Sequence, residues 1–343
     1  MVKKYVLGVE TTAHTFGIGI VELSGVLNNS ESSIIVNIKE SFTTDSGGLI
    51  PIVVAKHHKA VSQKVYDNAL NDAKISEGEI VAVAVSNAPG LSPCLLEGLR
   101  FSKSLANRLK IPLIPVNHCI AHLEIGRITG AKDPVLLYAS GANTQVITYA
   151  GGKFRVFGET LDVGIGNFID TFARYVGIGF PGGPVIDKLA QGVVEEDFVE
   201  LPYSVKGMDM AFSGLLTNLK QKYDSKKFKL DNLAYSLQET AFAMLVEASE
   251  RALAHTGKSE LLLGGGVSCN KRLQEMCRKM CDDRGAKLFL LPNSLLVDNG
   301  GMIAFLGAII YDSIINNKKK FLDIKNIDIS PRERTDDVEV FWR

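Results

Sequence analysis

The chain has 343 residues, of which 46% are hydrophobic and 22% charged, which is enough to build the cores of two domains of ordinary size. Lys and Arg together number 38, as do Asp and Glu, so no overall field draws the protein to nucleic acid or to an anionic membrane. The sequence starts with a strand-like run instead of an apolar leader, and its most apolar late stretch (302–315) is interrupted by polar residues, so we expect a cytoplasmic protein without a membrane span.

Hydrophobic periodicity predicts the elements in chain order. In the first part, three strands precede an alternation of helix and strand: strands 5–10, 17–23 and 34–43, helix 51–73, strand 80–86, helix 95–109, strand 113–116 and helix 118–127. The same order then recurs: strands 135–138, 144–149 and 154–159, helix 166–176, further helices through residue 255, strand 260–263, helix 270–284, strand 287–291 and a last helix from about residue 300.

This repeated order predicts an α/β protein made of two similar halves. We place the N-terminal lobe at 1–133 and the C-terminal lobe at 134–343, with the last helix possibly returning to the first lobe. Duplicated α/β domains bind their ligand in the cleft between them. The alternative from the pattern alone is a single α/β sheet with a helical appendage.

Two histidines are the strongest chemical signal in the first half. His118 and His122 are four residues apart and therefore share one face of the predicted helix. Neutral imidazole is the commonest metal ligand in proteins, so the pair could hold a divalent cation. On its own such a spacing is weak, since many helices contain two histidines without a metal. Cys119 stands where a zinc peptidase would have its glutamate, which excludes that class.

Glycine-rich loops follow several predicted strands and indicate places where backbone could approach a phosphate or a sugar. They lie at 140–143, 164–166, 181–184, 264–266 and 299–301. Asp170, Asp187 and Asp298 lie next to such loops and could bind a sugar hydroxyl or a metal, although an aspartate there is often only a helix cap. Cys277 and Cys281 have helical spacing, which favours buried thiols over metal ligands.

An ordered set of motifs then points to one family. It comprises GVETTAH (8–14), NHCIAH (117–122), LYASGANTQ (137–145), DVGIGNFID (162–170), GGPVID (182–187), GGVSCN (265–270), DNGG (298–301) and RTDDVEVFWR (334–343). In these motifs the chain resembles the tRNA N6-adenosine threonylcarbamoyltransferases, in the archaeal and eukaryotic branch that forms the catalytic subunit of the KEOPS complex. The resemblance implies a duplicated actin-like ATPase fold, of the actin, Hsp70 and sugar-kinase type with RNase H-like lobes around a nucleotide cleft.

The resemblance also implies site residues. It implies that one divalent metal is bound by His118, His122, Tyr138 and Asp298. It implies that a second set lines the phosphates and the reaction intermediate: Tyr138, Ala139, Ser140, Gly141 and Ala142. It implies that a third set holds the nucleoside: Asp170, Gly183, Asp187 and Asn270. The family usually has a second glycine where this chain has Ala142, and alanine would cost about 1 kcal/mol if that position needed a positive φ.

The reaction that the resemblance implies is transfer of a threonylcarbamoyl group from threonylcarbamoyl-AMP to N6 of the adenosine beside the anticodon, in tRNAs that read codons beginning with A. Fe²⁺ suits two imidazoles and two oxygens, with Zn²⁺, Mn²⁺ and Mg²⁺ as alternatives, and ATP, AMP or threonylcarbamoyl-AMP would occupy the cleft. No catalytic base is evident; His14 is a candidate, and a structural role for it is the alternative.

The implied partners are tRNA, a small kinase-like KEOPS subunit, which is fused to the same chain in some archaea, and other KEOPS subunits. Neutral net charge predicts that this chain alone binds tRNA poorly. The local lysine clusters at 56–59, 220–229 and 317–320 are candidate RNA contacts, with a solvated charged face as the alternative for each. Two other functions remain open on this fold: an ATP-dependent carboxylate or sugar kinase, and a non-catalytic nucleotide-binding scaffold.

Overall fold

The computed structural model describes residues 3–44 and 48–343. The strands are β1 (Tyr5–Glu10), β2 (Thr15–Glu22), β3 (Ile34–Ser41), β4 (Ile80–Ala88), β5 (Leu113–Asn117), β6 (Val135–Ala139), β7 (Thr144–Ala150), β8 (Lys153–Glu159), β9 (Val205–Lys206), β10 (Asp209–Met210), β11 (Glu260–Gly264) and β12 (Lys287–Phe289). The helices are α1 (Leu23–Leu27), α2 (Pro51–Ala73), α3 (Ser92–Leu109), α4 (His118–Glu124), α5 (Ile165–Tyr175), α6 (Gly183–Ala190), α7 (Ser213–Asp224), α8 (Leu230–Thr256), α9 (Lys271–Arg284), α10 (Asn293–Leu296) and α11 (Gly300–Asn316).

Two five-stranded sheets share one topology. The first has the order β3-β2-β1-β4-β5 and the second the order β12-β11-β6-β7-β8, which is the same arrangement read from the other edge. In each sheet the first three strands form an antiparallel set. The fourth strand pairs in parallel with the first, and the fifth pairs in parallel with the fourth. The predicted duplication is therefore confirmed, and the alternative of one sheet with a helical appendage is wrong.

The inner strands are buried along nearly their whole length because helices cover the sheets. Every residue of β1 and of β6 is buried, as expected for strands that read as continuous apolar runs. Helix α11 packs on β1, β2 and β4 of the first sheet. The contact is very close at Gly19, where a Cβ atom would lie 2.2 Å from the backbone nitrogen of Gly301. Only glycine allows this approach, which places the start of α11 directly on the β1–β2 hairpin.

The structure also corrects some predicted boundaries. Helix α4 ends at Glu124, and a short 3-10 segment (Ile125–Thr129) replaces the rest of the helix predicted through residue 127. The short elements α1, α10 and the β9–β10 hairpin are missing from the prediction because two to five residues carry too little periodicity. Within the part of the chain that the structure describes, no helix has the length and apolarity needed to cross a bilayer.

Candidate metal and nucleotide site

The two histidines lie on α4, which starts directly at the end of β5. Asn117 is the cap residue: its side-chain oxygen accepts hydrogen bonds from the backbone N–H groups of Cys119 and Ile120, at 3.0 and 3.2 Å. This cap makes His118 the first helical residue and puts His122 one turn later on the same face. Both imidazoles are buried, and their ring centroids are 4.8 Å apart.

Tyr138 and Asp298 complete a compact polar cluster from two further parts of the chain. Tyr138 comes from β6, and its hydroxyl oxygen lies 2.8 Å from Nε2 of His118. Asp298 comes from the loop before α11, and its Oδ1 atom lies 3.3 Å from Nε2 of His118 and 3.4 Å from Nε2 of His122. Four side chains, separated by up to 180 positions in the sequence, thus face one another in the interior, between the helix, the second sheet and the last helix.

The donor set of this cluster fits a divalent metal. His118, His122 and Asp298 each offer one ligand atom, and these atoms all lie within 4.8 Å of one another. Nitrogen and oxygen atoms that share one ion at about 2.1 Å lie roughly 3.0–3.4 Å apart, which matches the contacts to Asp298. Two histidines and one carboxylate are also the ligand set typical of non-haem iron.

Burial and the neighbouring carboxylates set the charges of this cluster. Burial opposes a charge on His118, but Glu10 and Asp298 outweigh it and raise the pKa of that imidazole. Burial likewise opposes the charge of Asp298, and the His118 imidazolium holds the pKa of Asp298 well below its usual range. Burial lowers the pKa of His122, whose Nδ1 atom has no hydrogen-bond partner within the described residues. The two neighbouring imidazoles therefore differ, because the pKa of His118 is raised and that of His122 is lowered.

Glu10 is a member of the cluster that the sequence did not assign to the site. It ends β1, is completely buried, and its Oε2 atom lies 2.8 Å from Nδ1 of His118. Its other oxygen accepts hydrogen bonds from the backbone N–H and the hydroxyl of Thr12, at 2.7 and 2.6 Å. A carboxylate at the end of an otherwise apolar buried strand is the signal that could have identified it.

The glycine-rich loop after β6 lies next to the cluster because Tyr138 is two residues before it. The carbonyl oxygens of Ser140 and Gly141 accept hydrogen bonds from the backbone N–H groups of Gly166 and Asn167 in the first turn of α5, at 3.0 and 2.9 Å. The approach is so close that a Cβ atom on Gly164 would lie 2.4 Å from the carbonyl oxygens of Gly141 and Ala142. One side of the loop is thus closed by α5, while Gly141 and Ala142 are exposed on the other. Ala142 does not have a positive φ, so alanine introduces no backbone strain there.

The residues expected to hold the nucleoside form a separate group around α6. Asp170 accepts a hydrogen bond from the backbone N–H of Gly182 at 2.8 Å, and burial raises the pKa of its carboxyl group. Gly183 begins α6, and a Cβ atom there would meet nothing within 4 Å, so open space adjoins it. Asp187, one turn further, accepts from the side-chain amide of Asn270 at 2.9 Å.

His14 lies near Asp170, whose pKa it helps to lower against the larger effect of burial. Its ring packs edge-on against Phe180, with 5.4 Å between the ring centroids. A role for His14 as a general base therefore stays a prediction. Cys277 and Cys281 are both buried, as expected from their helical spacing.

Sequence comparisons match this chain to one family of proteins. A sequence profile of the family described as tRNA N6-adenosine threonylcarbamoyltransferase matches residues 32–305. The protein of that name from Thermococcus kodakarensis is 49% identical over 336 residues, covering 98% of this chain and 99% of the relative. A probable bifunctional tRNA threonylcarbamoyladenosine biosynthesis protein of Methanosarcina barkeri is 45% identical; the match covers all of this chain but 60% of that relative.

A solved structure supports the fold class. The activator of the 2-hydroxyisocaproyl-CoA dehydratase from Clostridium difficile, solved with bound ADPNP, matches with a TM-score of 0.53 over 93% of this chain and 99% of its own. At 11% identity this likeness concerns the fold alone. Together with the two matching sheets, it confirms the predicted duplicated actin-like ATPase fold.

Proposed function

Because this chain belongs to the tRNA N6-adenosine threonylcarbamoyltransferase family, we propose that it transfers the threonylcarbamoyl group of threonylcarbamoyl-AMP to N6 of the adenosine beside the anticodon. The amino nitrogen attacks the carbamoyl carbonyl carbon, the bond from that carbon to the phosphate oxygen breaks, and AMP leaves while the amine loses one proton. The tRNAs that read codons beginning with A are the acceptors in this proposal.

We propose that His118, His122, Tyr138 and Asp298 would hold one divalent metal, with Fe²⁺ favoured and Zn²⁺, Mn²⁺ or Mg²⁺ as alternatives. The observation that carries this proposal is the convergence of these four side chains from three elements. When bound, such a cation polarises a carbonyl group and neutralises the charge of a departing phosphate. The buried setting strengthens every electrostatic interaction in this part of the cleft.

The loop from Tyr138 through Ala139 and Ser140 to Gly141 and Ala142 would line the phosphate and the carbamoyl group. Gly141 and Ala142 are exposed, so backbone N–H groups there could share the charge that develops on the leaving phosphate. AMP is a good leaving group, so positioning of the two reactants would supply much of the rate. Catalysis by positioning and charge stabilisation needs no strong general base, and His14 is the candidate if one acts.

We propose that Asp170, Gly183, Asp187 and Asn270 bind the nucleoside part of threonylcarbamoyl-AMP, or of ATP or AMP. The open space beside Gly183 supports this role, because a ribose or base could approach the backbone there. The amide of Asn270 holds the carboxylate of Asp187, and its oxygen caps α9, so the two polar groups are fixed relative to each other. We assign the two lobes to 1–133 and 134–343, which puts the nucleoside group in the second lobe.

For partners we propose tRNA, a small kinase-like subunit and other KEOPS subunits. The Methanosarcina barkeri relative, whose printed name calls it bifunctional, continues beyond the matched length and supports an association with a second activity. A charge balance of 38 basic and 38 acidic residues supports shared rather than solitary tRNA binding. Among the local clusters, the one at 56–59 is the least suited to RNA, because His58 is completely buried.

The direct test is to incubate the purified chain and its partners with threonylcarbamoyl-AMP and unmodified tRNA, followed by nucleoside analysis. We expect threonylcarbamoyladenosine with the wild-type protein and none with a His118→Ala, His122→Ala double variant. His255→Ala, which removes an exposed histidine, is the matched control and should behave as wild type. ATP-dependent phosphorylation of a small acid or a sugar, with no modified adenosine, would contradict the proposal.

A further inference from the structure

Helix α4 is too short to hold its own position. Its seven residues span only about 10 Å, and a helix of that length has almost no stability by itself. It nevertheless carries both imidazoles of the candidate metal site, at its first and second turns. The placement of His118 and His122 toward Asp298 therefore depends on contacts that α4 makes with the rest of the chain, and the contacts at its two ends come from one segment.

The first end is fastened through the cap residue. The side-chain oxygen of Asn117 accepts from the helix, while its Nδ2 group donates to Oε2 of Glu333 at 2.9 Å. An amide can turn over and exchange its oxygen and nitrogen, and a carboxylate on the nitrogen side prevents this. Glu333 thus keeps the capping oxygen directed at the helix, immediately before His118.

The second end is fastened through Glu124, the last residue of α4. Its carboxylate is completely buried and accepts hydrogen bonds from Nε1 of Trp342 at 2.9 Å and Nε of Arg343 at 2.8 Å. Nε of Arg127 binds the other carboxylate oxygen at 2.5 Å. Trp342 and Arg343 belong to the same segment as Glu333, so one stretch of chain reaches both ends of the helix.

We call this stretch, residues 328–343, the strap. It is anchored to both sheets: the backbone N–H of Ser330 donates to the carbonyl of Asn87 at the end of β4, at 2.8 Å. At its other end, the guanidinium of Arg343 lies over the ring of Tyr149 on β7, 4.9 Å from the centroid. The strap therefore has supports of its own on either side of α4, and it can act as a fixed frame for the helix.

We propose that the strap positions the metal helix, with Glu333 and Trp342 as positioning residues for His118 and His122. This inference rests on the proposed metal site. Neither residue contacts the four candidate ligands directly, so each acts through the end of α4 that it binds. Loss of either contact should allow α4 to tilt or fray, which would spoil the ligand geometry without removing a ligand.

The test measures metal binding by the full chain, with Co²⁺ as the probe. Metal-free protein is titrated with Co²⁺ against a competing chelator, and the visible absorption of bound Co²⁺ reports the ligand geometry. Glu333→Ala removes the acceptor of the Asn117 amide, and Trp342→Phe removes only the N–H donor while keeping a ring. Glu333→Gln retains an acceptor oxygen and should rescue binding, and exposed Arg332→Ala is the matched control in the strap.

We expect Glu333→Ala and Trp342→Phe each to weaken Co²⁺ binding by about tenfold and to change its absorption spectrum, as loss of groups that orient metal ligands does. Glu333→Gln and Arg332→Ala should resemble wild type. Thermal unfolding of each metal-free variant separates this effect from global instability. A folded Glu333→Ala or Trp342→Phe variant with wild-type affinity and spectrum would overturn the inference alone. If the wild-type chain bound no Co²⁺, the proposed metal site itself would be contradicted, and the inference with it.

Discussion

Oε2 of Glu10 lies 2.8 Å from Nδ1 of His118, and both side chains are withdrawn from solvent. A carboxylate on Nδ1 holds a proton there, so Nε2, which faces Tyr138 and Asp298, is the nitrogen that would give up its proton to bind a metal. The first strand of the chain thereby determines which nitrogen of a helix residue faces the candidate metal site. Thr12 fixes Glu10 in turn through two hydrogen bonds.

We predict that Glu10→Gln weakens metal binding by about 10- to 100-fold with little change in fold. The glutamine amide can donate to Nδ1 of His118, which favours the tautomer whose Nε2 carries the proton and cannot bind a metal. Chelator competition with Fe²⁺ or Co²⁺ measures the effect. Glu22→Gln, at the end of β2 beside Lys3, is the matched control and should keep wild-type affinity. Equal affinity in Glu10→Gln and wild type would refute the role of Glu10.

Ala142 offers a prediction about the loop beside the site. Because its φ is not positive, replacement by the glycine that the family usually has relieves no strain. Glycine gains freedom in the unfolded chain, so we expect Ala142→Gly to lower the free energy of unfolding by about 0.4–1 kcal/mol. Denaturant unfolding measures this change. An increase in stability on the same substitution would show that alanine is strained in this loop.

Gly164 should tolerate no side chain. A Cβ atom there would meet two carbonyl oxygens of the loop at 2.4 Å, so Gly164→Ala must push the loop away from α5. We predict a loss of about 1–3 kcal/mol in stability and weaker binding of AMP, both measurable by calorimetry. Gly214→Ala is the matched control, because a Cβ atom there meets nothing within 4 Å. Unchanged AMP affinity in Gly164→Ala would argue against the loop as part of the nucleotide site.

His58 predicts a specific dependence of stability on pH. Burial lowers its pKa from 6.5 to about 4, although the carbonyl of Ala13, 2.9 Å from Nε2, acts in the opposite direction. The unfolded chain takes up a proton near pH 6.5 and the folded chain only near pH 4. Between these two values the unfolded chain binds a proton that the folded chain does not. The free energy of unfolding is therefore highest above pH 6.5 and falls by roughly 3 kcal/mol as the pH drops toward 4.

Replacement of His58 by Gln should flatten this part of the stability profile, because glutamine does not titrate. Chemical unfolding at a series of pH values between 4 and 7 provides the measurement, with exposed His255→Gln as the control that keeps the wild-type slope. A wild-type slope in His58→Gln would assign the pH dependence to other groups. His57, His14 and Glu10 are the titratable neighbours that also act on His58.

Much of the fold could be predicted from the sequence because its signals are local. Periodicity gave strand 5–10 and helix 51–73 with the observed bounds, and the repeated order of elements gave the duplication. Short elements such as α10 cannot be predicted in this way, since four residues make only one helical turn and show no repeat. The early end of α4 at Glu124 could not be foreseen, because it depends on contacts with Trp342 and Arg343 from the far end of the sequence.

The residues of the candidate site also fall into those that local sequence indicates and those that depend on packing. The spacing of His118 and His122 is local and was visible, whereas the approach of Tyr138 and Asp298 requires two sheets and α11 to pack together. The family resemblance implies those two residues without reference to the packing. The resemblance does not imply a role for Glu10. Glu10 reaches the cluster because β1 pairs in parallel with β4, β4 pairs in parallel with β5, and β5 leads directly into α4.

The most direct test asks whether a bound metal is needed for the transfer. Metal-free protein is loaded with Fe²⁺ under anaerobic conditions, together with its partners, tRNA and threonylcarbamoyl-AMP, and the rate of threonylcarbamoyladenosine formation is measured. We predict that the rate rises with metal occupancy, levels off at one ion per chain, and stays at background in the His118→Ala, His122→Ala variant. Full activity in the metal-free wild-type protein, or in that double variant, would contradict it.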